Sequence, residues 1–288
     1  MKIYILSVKY QFQPRTQPFK YPKHNRNFGV EQDFLKYLLK HKELTVGSSA
    51  TADWHYLPIY WTRWHLNHNY GKSGLSELQR EVNRLILDDS KTFTICQYDD
   101  GPLVDLGATS IFLASRKNAE GIDIPLLCAA HRKPLFKPSK KYLASFMGRL
   151  SNHPLRQQMA EFLRDREDVY VYDGIKATRY FVHRTLESYI ALCPRGYGGG
   201  SFRFFEAMQL GVVPFLIGDL DTRSFKKFIN WNELSLFSQS ASEINDILDS
   251  LRKADLRLMG EKAAEFWEKE LTYQKWCKYV FKELETLR

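Results

Sequence analysis

With 288 residues, 44% of them hydrophobic and 26% charged, the chain can bury one large core or two of ordinary size, which excludes a disordered or fibrous protein. Its formal charge of +9 is spread along the chain, which argues against a nucleic-acid binder and for an anionic small substrate. Cys96, Cys128, Cys193 and Cys277 lack metal spacing and read as buried thiols, and the short apolar start is too short for a signal peptide or a membrane anchor, so a cytoplasmic protein without a transmembrane segment is expected.

In chain order, residues 2–8 read as a first strand and 11–27 as a polar loop containing His24. Phe34, Leu35, Leu38 and Leu39 set a helix over 28–42. A strand over 54–60 is stopped by Pro58, and an aromatic-polar stretch with Trp61, Trp64 and His65 follows. The pattern continues with a helix over 75–87 and a strand over 92–97 that runs into Tyr98-Asp99-Asp100-Gly101. Short strands are expected at 110–114 and 124–130. The basic, proline-containing segment 131–140 reads as a linker.

Beyond it the alternation restarts. Strands are expected over 142–147 and 169–172, and helices over 154–164, with Pro154 near the first turn, and 179–187. An apolar run at 189–193 then leads into a loop holding Gly196, Gly198, Gly199 and Gly200. Ser201 is placed as the cap of a helix reaching Leu210; Gly211 stops it, and 212–217 is the next buried strand. A strand over 234–237, a helix over 242–253 opened by Ser242, and a helical pattern over 255–284 complete the chain. Alternation of this kind predicts α/β architecture in two domains, 1–135 and 141–265.

The glycine loop is the main chemical signal. A strand, a glycine-rich turn and a helix N-terminus aim unpaired N–H groups and a positive helix dipole at one place, which suits a phosphate or diphosphate. Arg195 and Arg203 add fixed positive charge, and Glu206, further along the helix, is placed to take ribose hydroxyls. Gly148 and Arg149, after the first strand of the second half, are expected near the same anion. The binding set is therefore Gly148, Arg149, Arg195, Gly196, Gly198, Gly199, Ser201, Phe202, Arg203 and Glu206. An alternative for Arg203 and Glu206 is a surface ion pair at i,i+3.

Several stretches of the second half resemble the exostosin-like glycosyltransferases of the GT47 type. They are Phe146-Met-Gly-Arg, Tyr180 with Leu186-x-Ser188, Leu192-Cys-Pro-Arg-Gly, Ser201-x-Arg203-x-x-Glu206-Ala207, and Gly211-Val-Val-Pro-x-x-Ile-x-Asp219, followed by Phe225 and Ile229-Asn-Trp231. Phe28-x-x-Glu31 with Phe34 and Leu38, and the stretch Ala52 to Tyr60, agree more loosely. The resemblance implies a GT-B fold, two Rossmann-like domains facing across a cleft, with residues 266–288 as a C-terminal helix packing back on the first. It also implies a UDP-sugar donor on the second domain, a glycan or glycoconjugate acceptor, and inverting transfer without a required metal or other cofactor. Among donors, UDP-xylose stands first, with glucuronate or galactose next. The compact, anchorless form suggests a microbial or viral glycan pathway.

Inverting transfer needs one base for the acceptor hydroxyl and positive groups for the departing UDP. Candidates for the base are Asp99, Asp100 and Glu31, and the residues leave the choice open; Asp53 and His55, two apart on a strand, are a further pair. Asp219-Leu220-Asp221 has the form of a metal-binding DxD but follows a buried strand, and is read as loop. The rings between Trp54 and Trp64 are a candidate acceptor platform. A glycosyltransferase-like binding subunit without catalysis is the alternative function.

Overall fold

A computed structural model describes residues 1–18, 29–118, 120–174, 176 and 178–288; His24 and Phe28 lie outside them. The chain divides into two compact units, one formed by Met1–Leu127 with Tyr273–Arg288 and one by Cys128–Thr272. Each is built on a five-stranded parallel sheet.

The first sheet contains β1 (Ile3–Ile5), β2 (Trp54–Tyr56), β3 (Thr92–Cys96), β4 (Ser110–Leu113) and β5 (Ile122–Asp123), side by side in chain order. α1 (Val30–Lys40) joins β1 to β2, and α2 (Trp61–Asn67) and α3 (Leu75–Leu85) join β2 to β3. The aromatic-polar stretch is thus the helix α2. Trp61 and Trp64 are fully buried on it and Trp54 nearly so, which removes the acceptor-platform reading: these rings are core. Residues 124–130 form no strand. Ile124, Leu126, Leu127 and Cys128 are buried as irregular chain, because apolarity reports burial and not a ladder.

The second sheet contains β6 (Tyr142–Gly148), β7 (Val169–Asp173), β8 (Ser188–Pro194), β9 (Val213–Ile217) and β10 (Leu236–Ser238), in the order β10-β9-β8-β6-β7. α4 (Pro154–Phe162), α5 (Thr178–Leu186) and α6 (Phe202–Leu210) make the crossovers. β7 lies on one side of β6 and β8 on the other, so the order reverses between β6 and β8. That reversal opens a crevice at the carboxyl ends of the two strands, where ligands of open parallel sheets bind. Among the described residues the strands of the first sheet keep chain order throughout.

The helix expected over 242–253 is shorter: the Ser240 hydroxyl accepts from the Ser242 amide at 3.2 Å and caps a 3-10 turn over Ala241–Glu243, and α7 spans only Ile244–Ser250 before Leu251 turns extended. The pattern over 255–284 is not one helix. α8 (Lys253–Phe266) runs into a π-turn at Trp267–Leu271, and α9 (Cys277–Thr286) returns to the first unit. There the Asp33 carboxylate takes the Gln274 amide at 2.6 Å and the Trp276 indole N–H at 2.9 Å. Phe34 packs on Trp276 and Phe281. No helix among the described residues is long and apolar enough to cross a membrane.

The unit boundaries differ from the expected 1–135, 141–265 and 266–288 because side chains hold the flanking segments to the second unit. Gln209 on α6 takes the His131 amide at 2.6 Å and donates to the Ala129 carbonyl at 3.1 Å. α8 is held by a close approach of backbones. A Cβ on Gly260 would stand 2.5 Å from the carbonyl oxygen of Gly211, itself the left-handed C-cap of α6 at φ 73°. Gly260→Ala is therefore expected to cost about 1–3 kcal/mol through overpacking, although alanine favours a helix. A lower urea midpoint checks this; an unchanged or raised midpoint would mean the helices part without strain.

Candidate functional site

The candidate donor residues Gly148, Arg149, Arg195, Gly196, Gly198, Gly199, Ser201, Phe202, Arg203 and Glu206 all fall in the second unit, on α6 and on the chain leaving β6 and β8. They come together at the reversal of strand order. None of Gly196, Gly198, Gly199 and Gly200 takes a positive φ, so these glycines serve an uncluttered loop and not a special turn. Ser201 stands at the cap position of α6 in extended conformation, but its hydroxyl makes no capping bond. The helix N-terminus keeps its positive end without a side-chain cap.

Three arginines converge there. The Arg203 guanidinium bonds the carbonyl of Met147 on β6 and lies 4.9 Å from the centre of the Phe146 ring. Arg156 sits over the same ring at 5.7 Å. Gly148 is glycine because of Arg203: a Cβ there would stand 2.7 Å from Arg203 Nη2. A side chain at Gly148 would have to displace that guanidinium. Arg195 is buried and bonds Asp219. Among the described residues, the Nε atoms of Arg195 and Arg203 are buried without a hydrogen-bond partner. The α6 N-terminus, free of a side-chain cap and flanked by the Arg195 and Arg203 guanidinium groups, is an arrangement that favours negative charge.

Arg156, on the first turn of α4, is the residue that sequence reasoning missed. Its guanidinium donates to the carbonyls of Arg195 at 2.9 Å, Arg149 at 3.1 Å and Pro194 at 3.4 Å. It thereby ties the loop after β6 to the loop after β8. Burial, and next the charge of Arg203, lower its pKa to about 10, still cationic at neutral pH. A signal existed: a cation two residues after Pro154 opposes the helix dipole and needs another reason to be there.

Arg149 itself is exposed. Glu206 is buried, and His131 Nε2 stands 2.8 Å from its Oε1. The Glu206 carboxylate is thus oriented by a histidine that had been read as linker. Arg203 turns back to β6, so a solvated helix-surface pair with Glu206 is not the arrangement found. Both carboxylates of Asp219-Leu220-Asp221 face cations: Asp219 meets Arg195, and Asp221 meets Arg223 at 2.9 Å and Lys226 at 3.8 Å. Burial drives the Cys193 thiol up to about 12, which removes it as a nucleophile.

The base candidates lie in the first unit. Asp99 and Asp100 line a pocket of about 350 Å³ at the carboxyl ends of β3 and β4, with Gly101, Pro102, Lys117 and Asn118. Lys117 Nζ stands 2.6 Å from Asp100. Glu31 is overturned as a surface charge or an accessible base, since it is fully buried. Its Oε1 accepts from the Thr62 amide at 3.1 Å, the Thr62 hydroxyl at 2.9 Å and the Gln97 amide at 3.0 Å. Glu31 is a clamp that fixes the start of α2 and the end of β3, two residues before Asp99. Asp53 precedes β2 and takes the Lys2 amide at 2.6 Å, while His55 is buried; neither is placed for catalysis.

A parallel α/β unit with arginines at its strand reversal, preceded by a second parallel α/β unit, is the make-up of a GT-B glycosyltransferase. The family described as Exostosin GT47 domain matches residues 99–251, just over half of the chain, and the chain belongs to that family. It is 25% identical over 159 residues to Exostosin-1 of Drosophila melanogaster, an alignment covering 46% of this chain and 21% of the relative. It is 29% identical over 106 residues to the Exostosin-1 homolog of Caenorhabditis elegans, covering 36% of this chain and 25% of the relative. A probable glycosyltransferase of Arabidopsis thaliana is 28% identical over 110 residues, or 38% of this chain and 23% of that protein. The alignments thus span about a quarter of the length of these relatives. Among solved structures, TarM aligns with a TM-score of 0.39 at 10% identity, over 74% of this chain and 58% of that chain. The C-terminal domain of a glycosyl transferase group 1 family protein (LpcC) of Francisella tularensis aligns with a TM-score of 0.36 at 14% identity, over 47% of this chain and 89% of that chain.

Proposed function

We propose that the chain transfers a sugar from a UDP-sugar to a glycan hydroxyl, with inversion and without a metal. The observation that carries this reading is the α6 N-terminus without a side-chain cap, at the reversal of strand order, with Arg195 and Arg203 beside it. In the proposed complex the Arg195 and Arg203 guanidinium groups and the backbone of Gly198–Ser201 take the diphosphate, and Glu206, set by His131, takes ribose hydroxyls. Two guanidinium groups then neutralise the charge that grows on UDP as the glycosidic bond breaks, the task a metal performs elsewhere. The DxD carboxylates are already paired with Arg195 and Arg223, which supports a metal-free reading. Asp99 or Asp100 takes the acceptor proton in the pocket beside Lys117. UDP-xylose heads the donor candidates, followed by glucuronate and galactose.

A thermal-shift panel of UDP, GDP and their sugars, with and without EDTA, tests the reading. UDP is expected to raise the melting temperature equally in both conditions. Arg203→Ala is expected to weaken UDP about tenfold to a hundredfold, in line with the loss of one charge-assisted contact. Arg203→Lys, which keeps the charge and loses the fork, should lie between. No shift with any nucleotide would favour a binding subunit without catalysis, and a shift abolished by EDTA would overturn the metal-free mechanism.

A further inference from the structure

The segment 131–141 has a feature that nucleotide chemistry does not use. Its sequence, His-Arg-Lys-Pro-Leu-Phe-Lys-Pro-Ser-Lys-Lys, contains five lysines and arginines and no acidic residue. It forms no helix or strand, and residues 132–137 are exposed without a break. At its tip Leu135 is 97% exposed and Phe136 88%. Two adjacent large apolar side chains almost wholly in water are unusual on a soluble surface, where such groups normally lose most of their area.

The segment is also not a slack tether. At one root, His131 is held by Glu206 at 2.8 Å and by Gln209 at 2.6 Å. At the other, Lys140 Nζ donates to the Ser188 carbonyl at 2.5 Å and Lys141 pairs with Glu187 at 2.6 Å. Both anchors belong to the same unit as the loop, so the apolar tip is presented from a fixed base. Arg132, Lys133 and Lys137 flank the tip and are exposed. Cations are crowded at the root as well: burial, then the charges of Lys137 and Arg257, hold Lys140 down to about 8.

We propose that this loop docks the protein on an anionic lipid surface, with Leu135 and Phe136 entering the headgroup–acyl boundary and Arg132, Lys133 and Lys137 meeting the headgroups. A leucine-phenylalanine tip fits an apolar slab reached through a negatively charged layer. It offers no groove or edge that would grip a folded protein. The loop concentrates part of a +9 chain at one place, so the electrostatic contribution is local and screened by salt.

Co-sedimentation of the full chain with vesicles tests this. Phosphatidylcholine vesicles containing a third phosphatidylglycerol should pellet the protein at low salt, and pure phosphatidylcholine should not. Leu135→Ser with Phe136→Ser should abolish pelleting while leaving the melting temperature unchanged, since both side chains are exposed. Lys133→Ala and Lys137→Ala should each weaken binding about fivefold, the effect of one cation near an anionic surface. Equal binding to both vesicles, no binding to either, or binding that survives the double serine variant would overturn the proposal. Retention on an acidic polymer without vesicle binding would overturn it too, pointing to an acidic macromolecular partner.

Discussion

Arg156→Ala is expected to destabilise the second unit by about 3–4 kcal/mol and to remove the melting-temperature rise produced by UDP. Three carbonyls, of Arg149, Pro194 and Arg195, depend on one guanidinium that is 6% exposed. Hydrogen bonds to a charged donor contribute about 1.5–3 kcal/mol each, and the 3.4 Å contact to Pro194 counts least. Relief of repulsion with Arg203 offsets a small part. The functional loss has a separate cause: without the bridge the loops after β6 and β8 move independently, and Arg195 and Gly148 leave their settings. Arg156→Lys separates the two effects. An ammonium can bond one or two carbonyls from a single point but cannot span both loops as a planar fork does. It should recover part of the stability and little of the nucleotide response, and in an assay should raise the donor KM more than it lowers kcat. An Arg156→Ala protein with an unchanged unfolding midpoint and an intact UDP response would show that the loops hold themselves.

Glu31 carries the second large effect, with a defined pH dependence. Burial outweighs its hydrogen bonds and raises its pKa from 4.5 to about 7. Between those values the folded protein keeps a proton that the unfolded chain releases. Stability from this residue is therefore fully present below about pH 4.5 and is lost as pH rises through about 7, a total of about 3 kcal/mol. All three close donors reach Oε1, so an amide in place of the neutral acid keeps those bonds, gives up only the 3.4 Å contact of the Thr62 amide with Oε2, and loses the titration. Glu31→Gln should match the parent at pH 4 and exceed it by about 3 kcal/mol at pH 8. Glu31→Ala strands three buried donors and should cost about 4 kcal/mol or more below pH 4.5, a cost that shrinks by about 3 kcal/mol as pH rises through about 7. His65 works in the opposite direction. Burial lowers its pKa from 6.5 to about 4, so its contribution is present above pH 6.5 and lost as pH falls through about 4. The two slopes oppose each other over the same window, so removing the Glu31 titration in Glu31→Gln should expose the His65 slope. Urea titrations at several pH values read this directly. A difference between parent and Glu31→Gln that does not vary with pH would mean that Glu31 titrates as an ordinary carboxyl.

The sequence by itself determined the features that depend on local chemistry. Glycine at 211 takes the left-handed C-cap, Pro154 opens α4, and the apolar run 189–193 is the interior of β8. Period and end signals are properties of neighbouring residues, so they survive without tertiary knowledge. The Arg195–Glu206 block was legible for the same reason: loop, cap and arginines lie within one strand-to-helix turn. Tertiary structure decided what each polar group faces. Glu31 resembles a helix-start surface charge in its local pattern, but it is buried because Thr62 and Gln97, 31 and 66 residues away, bring their donors to it. Trp61 and Trp64 share a stretch with Arg63 and His65, and only the packing of α2 makes them core. His131 sits among lysines and prolines, yet a partner 75 residues on turns it into the anchor of Glu206. Arg156 completes the crevice through carbonyls 38 and 39 residues ahead of it. Burial and long-range pairing are set by the whole chain's competition for the core, and no local window contains that information.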